Sequence, residues 1–334
     1  MTKKVLVLPG DGVGPEVTAS AVSILEQAAG GRIEIIYGDI GRSAHVKTSK
    51  YLPADTVSLA MDVDAIIVGG VIPPSGRSYQ NPVRELKKQL NLYSVVRKFL
   101  PLCGSIGTQG VDLLVVNGNP DSILNVIETE SLEGVNTHNF LSRVSCEKLF
   151  RKTAQLSSMM GRKKITCAHR ISMFPLLNGM FVDLFYKELT GSGFYLDDME
   201  IDEAASELVM SPQSMDVIVS TDMFGTVLAG VAAGMVGGSY LTPVGSIGDH
   251  AGLFEPMHGP NQVMAGKGMV NPTSAILSGA MAMDHLGMPS EAEKIRKAVR
   301  CVYVKGTVTP DVGGTATAEE LTGSVIDILN ENEG

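Results

Sequence analysis

Short apolar runs, each stopped by glycine, proline or a charged residue and separated by helical patterns, restrict the fold of this chain most strongly. Val5–Leu8 is the first such run, and Pro9-Gly10-Asp11-Gly12 closes it. Pro15-Glu16 then opens a helix, with proline in the first turn where its missing N–H costs nothing. Further runs stand at Ile33–Tyr37, Ala65–Val68, Leu113–Val116, Ile165–Ala168 and Val217–Val219, with helical patterns such as Glu147–Met159 and Pro175–Leu189 between them. Strands alternating with helices predict an α/β architecture with a largely parallel sheet. The stretch Gly10-Asp11-Gly12-Val13-Gly14-Pro15 is not a dinucleotide fingerprint, because Pro15 stands where G-x-G-x-x-G needs its last glycine. A tight strand-to-helix turn is the expectation there, in place of a phosphate cradle.

At 334 residues the chain is long enough for two compact lobes. Apolar residues make up 44% and charged residues 19%, which is globular composition. The net charge of −9 argues against nucleic acid or an anionic membrane as partner. An anionic small molecule needs only local cations and stays open. Cys103, Cys146, Cys167 and Cys301 are scattered, so no zinc site or disulfide framework is expected. The first residues enter a strand at once, leaving no room for a signal peptide, and no apolar run approaches the roughly 20 residues that span a bilayer. The expectation is a soluble protein of the cytoplasm, or of an organelle matrix if a transit segment was removed.

Several motifs, in order, carry a specific resemblance. They are Pro9–Val17 (PGDGVGPEV), Leu92–Arg97 (LYSVVR), Gly248-Asp249-His250 through Phe254–Gly259 (FEPMHG), Ala265–Gly268 with Asn271-Pro272-Thr273, and Thr309–Gly314 (TPDVGG). Together they make the chain similar to the β-decarboxylating dehydrogenases of isocitrate, homoisocitrate and 3-isopropylmalate. The run GRKKITCAHR at 161–170 is most like the NAD-dependent isocitrate branch. The resemblance implies two lobes sharing a largely parallel sheet core. A large, nucleotide-side lobe would comprise 1–92 plus 237–334. A central lobe, 93–236, would dimerise and carry the metal and substrate side.

The same resemblance implies a metal held by three aspartates, a lysine base, a tyrosine acid and three carboxylate-binding arginines. Most of these positions have changed. The aspartates fall on Asp202, Thr226 and Gly230, and one carboxylate is a poor home for Mg²⁺ or Mn²⁺. Asp222, in the usual asparagine position, reads as a helix cap. The tyrosine position is Leu124 and the lysine position is Arg170, whose guanidinium cannot give up its proton. Of the arginines, Arg97 remains, while the others are Lys87 and Asn117. Candidate anion-binding residues are therefore Arg97, Lys87, Arg84, Asn81, Asn117 and Arg170. Candidate cofactor-binding residues are Glu255, His258, Gly259, Asn271 and Asp311, although Pro260–Met264 departs from the family's S-A-P-D-I. NAD binding would be weakened or confined to the adenine end, and the divalent metal lost.

Three functions follow, in this order. The first is a non-catalytic or regulatory subunit that forms a homodimer or a hetero-oligomer with a catalytic paralogue. The second is a metal-independent NAD-dependent dehydrogenase of a 2-hydroxy acid, with His169 as its base and Arg97, Arg84 and Arg170 in its site. The third is a sensor of a nucleotide or tricarboxylate. The segments Pro175–Phe185 and Gly225–Val236 are apolar around much of a helix, which predicts burial against a second subunit.

Overall fold

A computed structural model describes residues 2–72, 81–118 and 124–331. Its strands are β1 (Lys3–Leu8), β2 (Ile33–Tyr37), β3 (Ala65–Val68), β4 (Ser94–Phe99), β5 (Leu113–Gly118), β6 (Leu124–Ser131), β7 (Gly134–Leu141), β8 (Lys164–His169), β9 (Tyr195–Glu200), β10 (Val217–Ser220), β11 (Pro243–Ile247) and β12 (Gly252–Pro256). Its helices are α1 (Gly14–Ala29), α2 (Arg42–Thr48), α3 (Ala54–Met61), α4 (Pro82–Gln89), α5 (Arg143–Met159), α6 (Pro175–Leu189), α7 (Ile201–Met210), α8 (Asp222–Met235), α9 (Thr273–His285), α10 (Pro289–Lys305) and α11 (Ala318–Glu331). Every apolar run singled out in the sequence is a strand. The chain divides into two compact units, 1–90 with 101–109 and 236–334, and 91–100 with 110–235. Relative to the boundaries read from sequence, 101–109 and Val236 sit with the first unit and 91–92 with the second.

In the first unit the strands run in the order β2-β1-β3-β12-β11. All these pairs are parallel except β11 with β12. Strands β1 and β3 are apolar because they are covered on both faces, which is where parallel sheets live. Helix α9 is buried along Thr273–Met283 and packs against α1 and α10. The glycine-rich turn after β1 is a packing device. Gly12 has φ +61°, and a Cβ there would lie 1.9 Å from the carbonyl oxygen of Pro260. Val13 N–H donates to that same oxygen at 2.8 Å. The buried Asp11 carboxylate accepts from the backbone N–H groups of Arg42 (2.9 Å), Ser43 (3.0 Å) and Ile72 (2.8 Å). These contacts fit the tight turn expected from Pro15.

In the second unit the order is β4-β5-β10-β8-β9, with only β4–β5 antiparallel. Phe150 of α5 packs on Phe181 and Phe185 of α6, at ring-centroid distances of 4.8 and 5.7 Å. Strands β6 and β7 form a separate two-stranded ribbon. Among the described residues no helix is long and apolar enough to cross a membrane.

Within the single chain, the two helical segments expected to be buried against a second subunit are partly covered. Phe181, Leu184, Leu228 and Ala232 are in the core. Leu176 is 89% exposed, and Thr226, Val227, Gly230 and Gly234 also face outward.

Candidate functional site

Several candidates of the first unit are engaged within it. Asn81 caps α4, its side-chain oxygen accepting from the N–H groups of Val83 (2.9 Å) and Arg84 (3.3 Å), a structural duty typical of asparagine before a helix. The Lys87 ammonium is paired with the Glu255 carboxylate, and both side chains are largely buried. An anion candidate and a cofactor candidate thus neutralise each other. Asn271 is buried and saturated. Its amide nitrogen donates to the Tyr303 hydroxyl (3.1 Å) and the Asp311 carboxylate (3.1 Å), and its oxygen accepts from Thr273 N–H (3.0 Å). Tyr303 bonds Thr273 at 2.8 Å, and burial pushes its phenol up to about 12.

His258 is different. It is buried and stacked on Tyr240, with ring centroids 4.1 Å apart, while the Tyr240 hydroxyl accepts from Asn261. Nδ1–H donates to the carbonyl of Gly259 at 2.9 Å, which leaves Nε2 as a lone-pair acceptor. That buried Nε2 has no hydrogen-bond partner within the chain. Burial holds the imidazole below the usual histidine range and so keeps it neutral. Beside it, a Cβ on Gly259 would meet nothing within 4 Å. The open backbone at Gly259 thus lies beside a buried aromatic stack whose Nε2 is enclosed by the chain.

The second unit holds the positions that the resemblance assigned to chemistry. Arg97 donates from Nη1 to Asn117 Oδ1 at 2.6 Å, and Asn117 Nδ2 reaches Asp222 Oδ1 at 3.3 Å. Asn117 is fully buried, and a Cβ on Gly225 would lie 2.4 Å from its Cβ, so only glycine lets α8 approach β5 this closely. Asp222 is the first residue of α8, where its charge suits the positive helix end. Leu124 begins β6, and its side chain lies outside the described residues.

Arg170 follows β8 and closes a network of carboxylates. Nη1 lies 2.6 Å from Asp202 Oδ1 and 3.4 Å from Glu200 Oε2. The guanidinium holds Asp202 below the usual carboxylate range. The N–H of Ser172, at 2.9 Å, does the same for Glu200. His169 is buried, with Nε2 3.0 Å from Asp198 Oδ2 and Nδ1 accepting from Ile171 N–H at 3.3 Å. Tyr186 donates to Asp198 Oδ1 at 2.5 Å, and burial pushes its phenol up. Glu200, Asp198, Ser172 and Tyr186 were not singled out from sequence. The acidic run Asp197-Asp198-Met199-Glu200, directly before the helix that carries Asp202, was the available signal.

Of the three positions that the resemblance assigns to a metal, only Asp202 carries a carboxylate. Asp202 already carries a permanent cation, and the two α8 positions offer a hydroxyl and no side chain at all. Among the described residues no group of three or more His, Cys, Asp or Glu side chains is arranged to hold a metal ion. A hard cation wants several oxygen ligands near octahedral geometry.

Comparison with known proteins places this geometry in context. The family model for isocitrate/isopropylmalate dehydrogenase matches residues 4–328. An isocitrate/homoisocitrate dehydrogenase of Thermus thermophilus is 35% identical over 336 residues, covering 98% of this chain and 99% of the relative. A mitochondrial regulatory subunit of NAD isocitrate dehydrogenase from Dictyostelium discoideum is 29% identical, covering 99% of this chain and 93% of the relative. The crystal structure of isocitrate dehydrogenase from Methylococcus capsulatus superposes with a TM-score of 0.91 at 30% identity, covering 98% of this chain and 99% of that one.

Proposed function

The chain belongs to the isocitrate/isopropylmalate dehydrogenase family, and we propose that within it the chain is a non-catalytic, regulatory subunit of a hetero-oligomer. The observation that carries this reading is Arg170. It stands at the position of the base and is bound to the one remaining aspartate of the metal set, Asp202, at 2.6 Å. An arginine cannot take a proton from a hydroxyl, and here it also neutralises the carboxylate a metal would need. Thr226 and Gly230 complete the change. The relative named as a regulatory subunit shows that such a role occurs among similar chains.

A nucleotide held at the adenine end of the first unit fits beside this role. The Tyr240–His258 stack and the open space beside Gly259 support it. The nicotinamide end has less support, since Glu255 is paired with Lys87. Reading the chain as a metal-independent dehydrogenase would require His169 as base, and both its ring nitrogens are already in hydrogen bonds.

The test is NAD(P)H formation by the purified chain from isocitrate, 3-isopropylmalate and other 2-hydroxy acids, with and without Mn²⁺. No turnover is expected. A metal-dependent rate within about tenfold of an ordinary enzyme's kcat, near 10 s⁻¹, overturns the proposal.

A further inference from the structure

Strand β2 ends the first unit's row, with β1 on one side and no strand on the other. Along a strand, the N–H and C=O groups of successive residues point to alternate sides. Lys3 N–H donates to the carbonyl of Arg32 at 2.9 Å, and Gly38 N–H donates to that of Val7 at 3.0 Å. The even-numbered residues of β2 therefore turn to β1, and Ile33, Ile35 and Tyr37 turn their donors and acceptors outward. Among the described residues, no group of a neighbouring loop or helix bonds to these three.

The edge lacks protection. Free edges are normally guarded by lysine, proline, a bulge or several charges. Strand β9, which ends the second unit's row, has Asp197, Asp198 and Glu200 among its six residues. Strand β2 reads Ile-Glu-Ile-Ile-Tyr, pairs with β1 without a bulge and carries one charge. Tyr37 is 61% exposed, and a Cβ added at Gly30 or Gly31, just before the strand, would meet nothing within 4 Å.

The strand also complements itself. In an antiparallel pair about a two-fold axis at Ile35, Ile35 faces its own copy, Ile33 faces Tyr37 and Glu34 faces Ile36. A β-branched residue against an aromatic is a favourable cross-strand pair, and no two glutamates stand directly opposite. The outward residues of the two copies then share about six main-chain hydrogen bonds, two for each facing pair.

We propose that two copies of this chain join edge to edge through β2, extending the first unit's sheet across a two-fold axis. This contact is separate from the burial expected on α6 and α8, so it doubles whatever assembly the second unit forms. It does not depend on the regulatory reading, and turnover in the assay above leaves it standing.

Sedimentation from about 1 µM to about 1 mM spans the affinities expected of so small an interface. The wild-type mass is expected to double across that range. Tyr37→Pro deletes an outward donor and leaves the β1 ladder intact, a position at which an edge strand tolerates proline. Its doubling should need at least about tenfold more protein. Hydrogen exchange gives a second reading on the unaltered chain. The amides of Ile33, Ile35 and Tyr37 should slow as concentration rises, while those of Glu34 and Ile36 stay slow throughout. A mass that stays constant, or outward amides that exchange equally fast at both ends of the range, overturns the proposal. So does a Tyr37→Pro chain that doubles as readily as wild type.

Discussion

Around Asn271 in the first unit the polar groups are buried and neutral apart from the exposed Asp311 carboxylate at the rim, whereas around Arg170 in the second they are ionised and partly open to water. Asn271, Tyr303 and Thr273 themselves have almost no solvent contact. Removing a member strands its neighbours where water cannot replace the lost bond. Arg170, Glu200 and Asp202 are held together by charge, but Asp202's side chain is 67% exposed. Water and salt can stand in for any member of such a set. A neutral buried set fixes a fold, and a charged open set fixes a local charge state at little gain in stability.

The sharpest way to break this contrast is Tyr303→Phe. It leaves the buried Thr273 hydroxyl and part of the Asn271 amide unmatched, so urea unfolding should show a loss of about 1–3 kcal/mol. A loss below about 0.5 kcal/mol would mean that water can replace the lost bond there too.

Acid titration comes next. Burial lowers the folded pKa of His258, so the unfolded chain takes up this proton first. The stability this group contributes is present above the unfolded value near 6.5 and is lost as pH falls towards the lower folded pKa. The expected acid limb has a slope of up to about 1.4 kcal/mol per pH unit. His258→Phe, which keeps an aromatic ring on Tyr240, should flatten it.

In the second unit Tyr186→Phe removes a bond to Asp198 at a site water can reach. It should cost less than about 1 kcal/mol, a smaller penalty than the same change at Tyr303. Smallest of all is the Arg170–Asp202 pair. A double-mutant cycle of Arg170→Ala and Asp202→Asn should show no coupling resolvable by thermal melting. A large coupling would make the pair a structural keystone and erase the contrast between the units.

Most strands legible in the sequence are covered on both faces, the edge strand β2 being the exception. Val5–Leu8, Ala65–Val68 and Val217–Val219 read as strands because a strand so placed can be apolar throughout. Strand β9 (YLDDME) ends its row and carries acids, and β7 (GVNTHNFL) is almost wholly exposed, so neither has an apolar run to find. Strands β11 and β12 begin at Pro243 and Gly252, residues that ordinarily argue against strand.

At the candidate site the resemblance could name positions, but not the partners they meet. Lys87 and Glu255 are 168 residues apart, and no spacing rule links them. The replacement of a lysine by Arg170 was readable at once. That its guanidinium would turn to Asp202 and Glu200 depended on β9 lying beside β8, which the sequence did not reveal.

The pairing of β3 with β12 has a consequence for how the chain is made. Ile66 and Ile67 lie beside Leu253 and Phe254, so one edge of β3 has no strand until the last third of the chain exists. At a ribosomal pace of about 5–20 residues per second, the roughly 190 intervening residues take about 10–40 s to emerge. Throughout that interval a nascent β1–β2–β3 sheet presents an apolar edge, a template for misplaced strands. The segments of the second unit are all synthesised in between and can collapse before the first unit closes. Slower elongation or a C-terminal truncation should therefore leave the N-terminal strands dependent on a chaperone, while 110–235 resist protease.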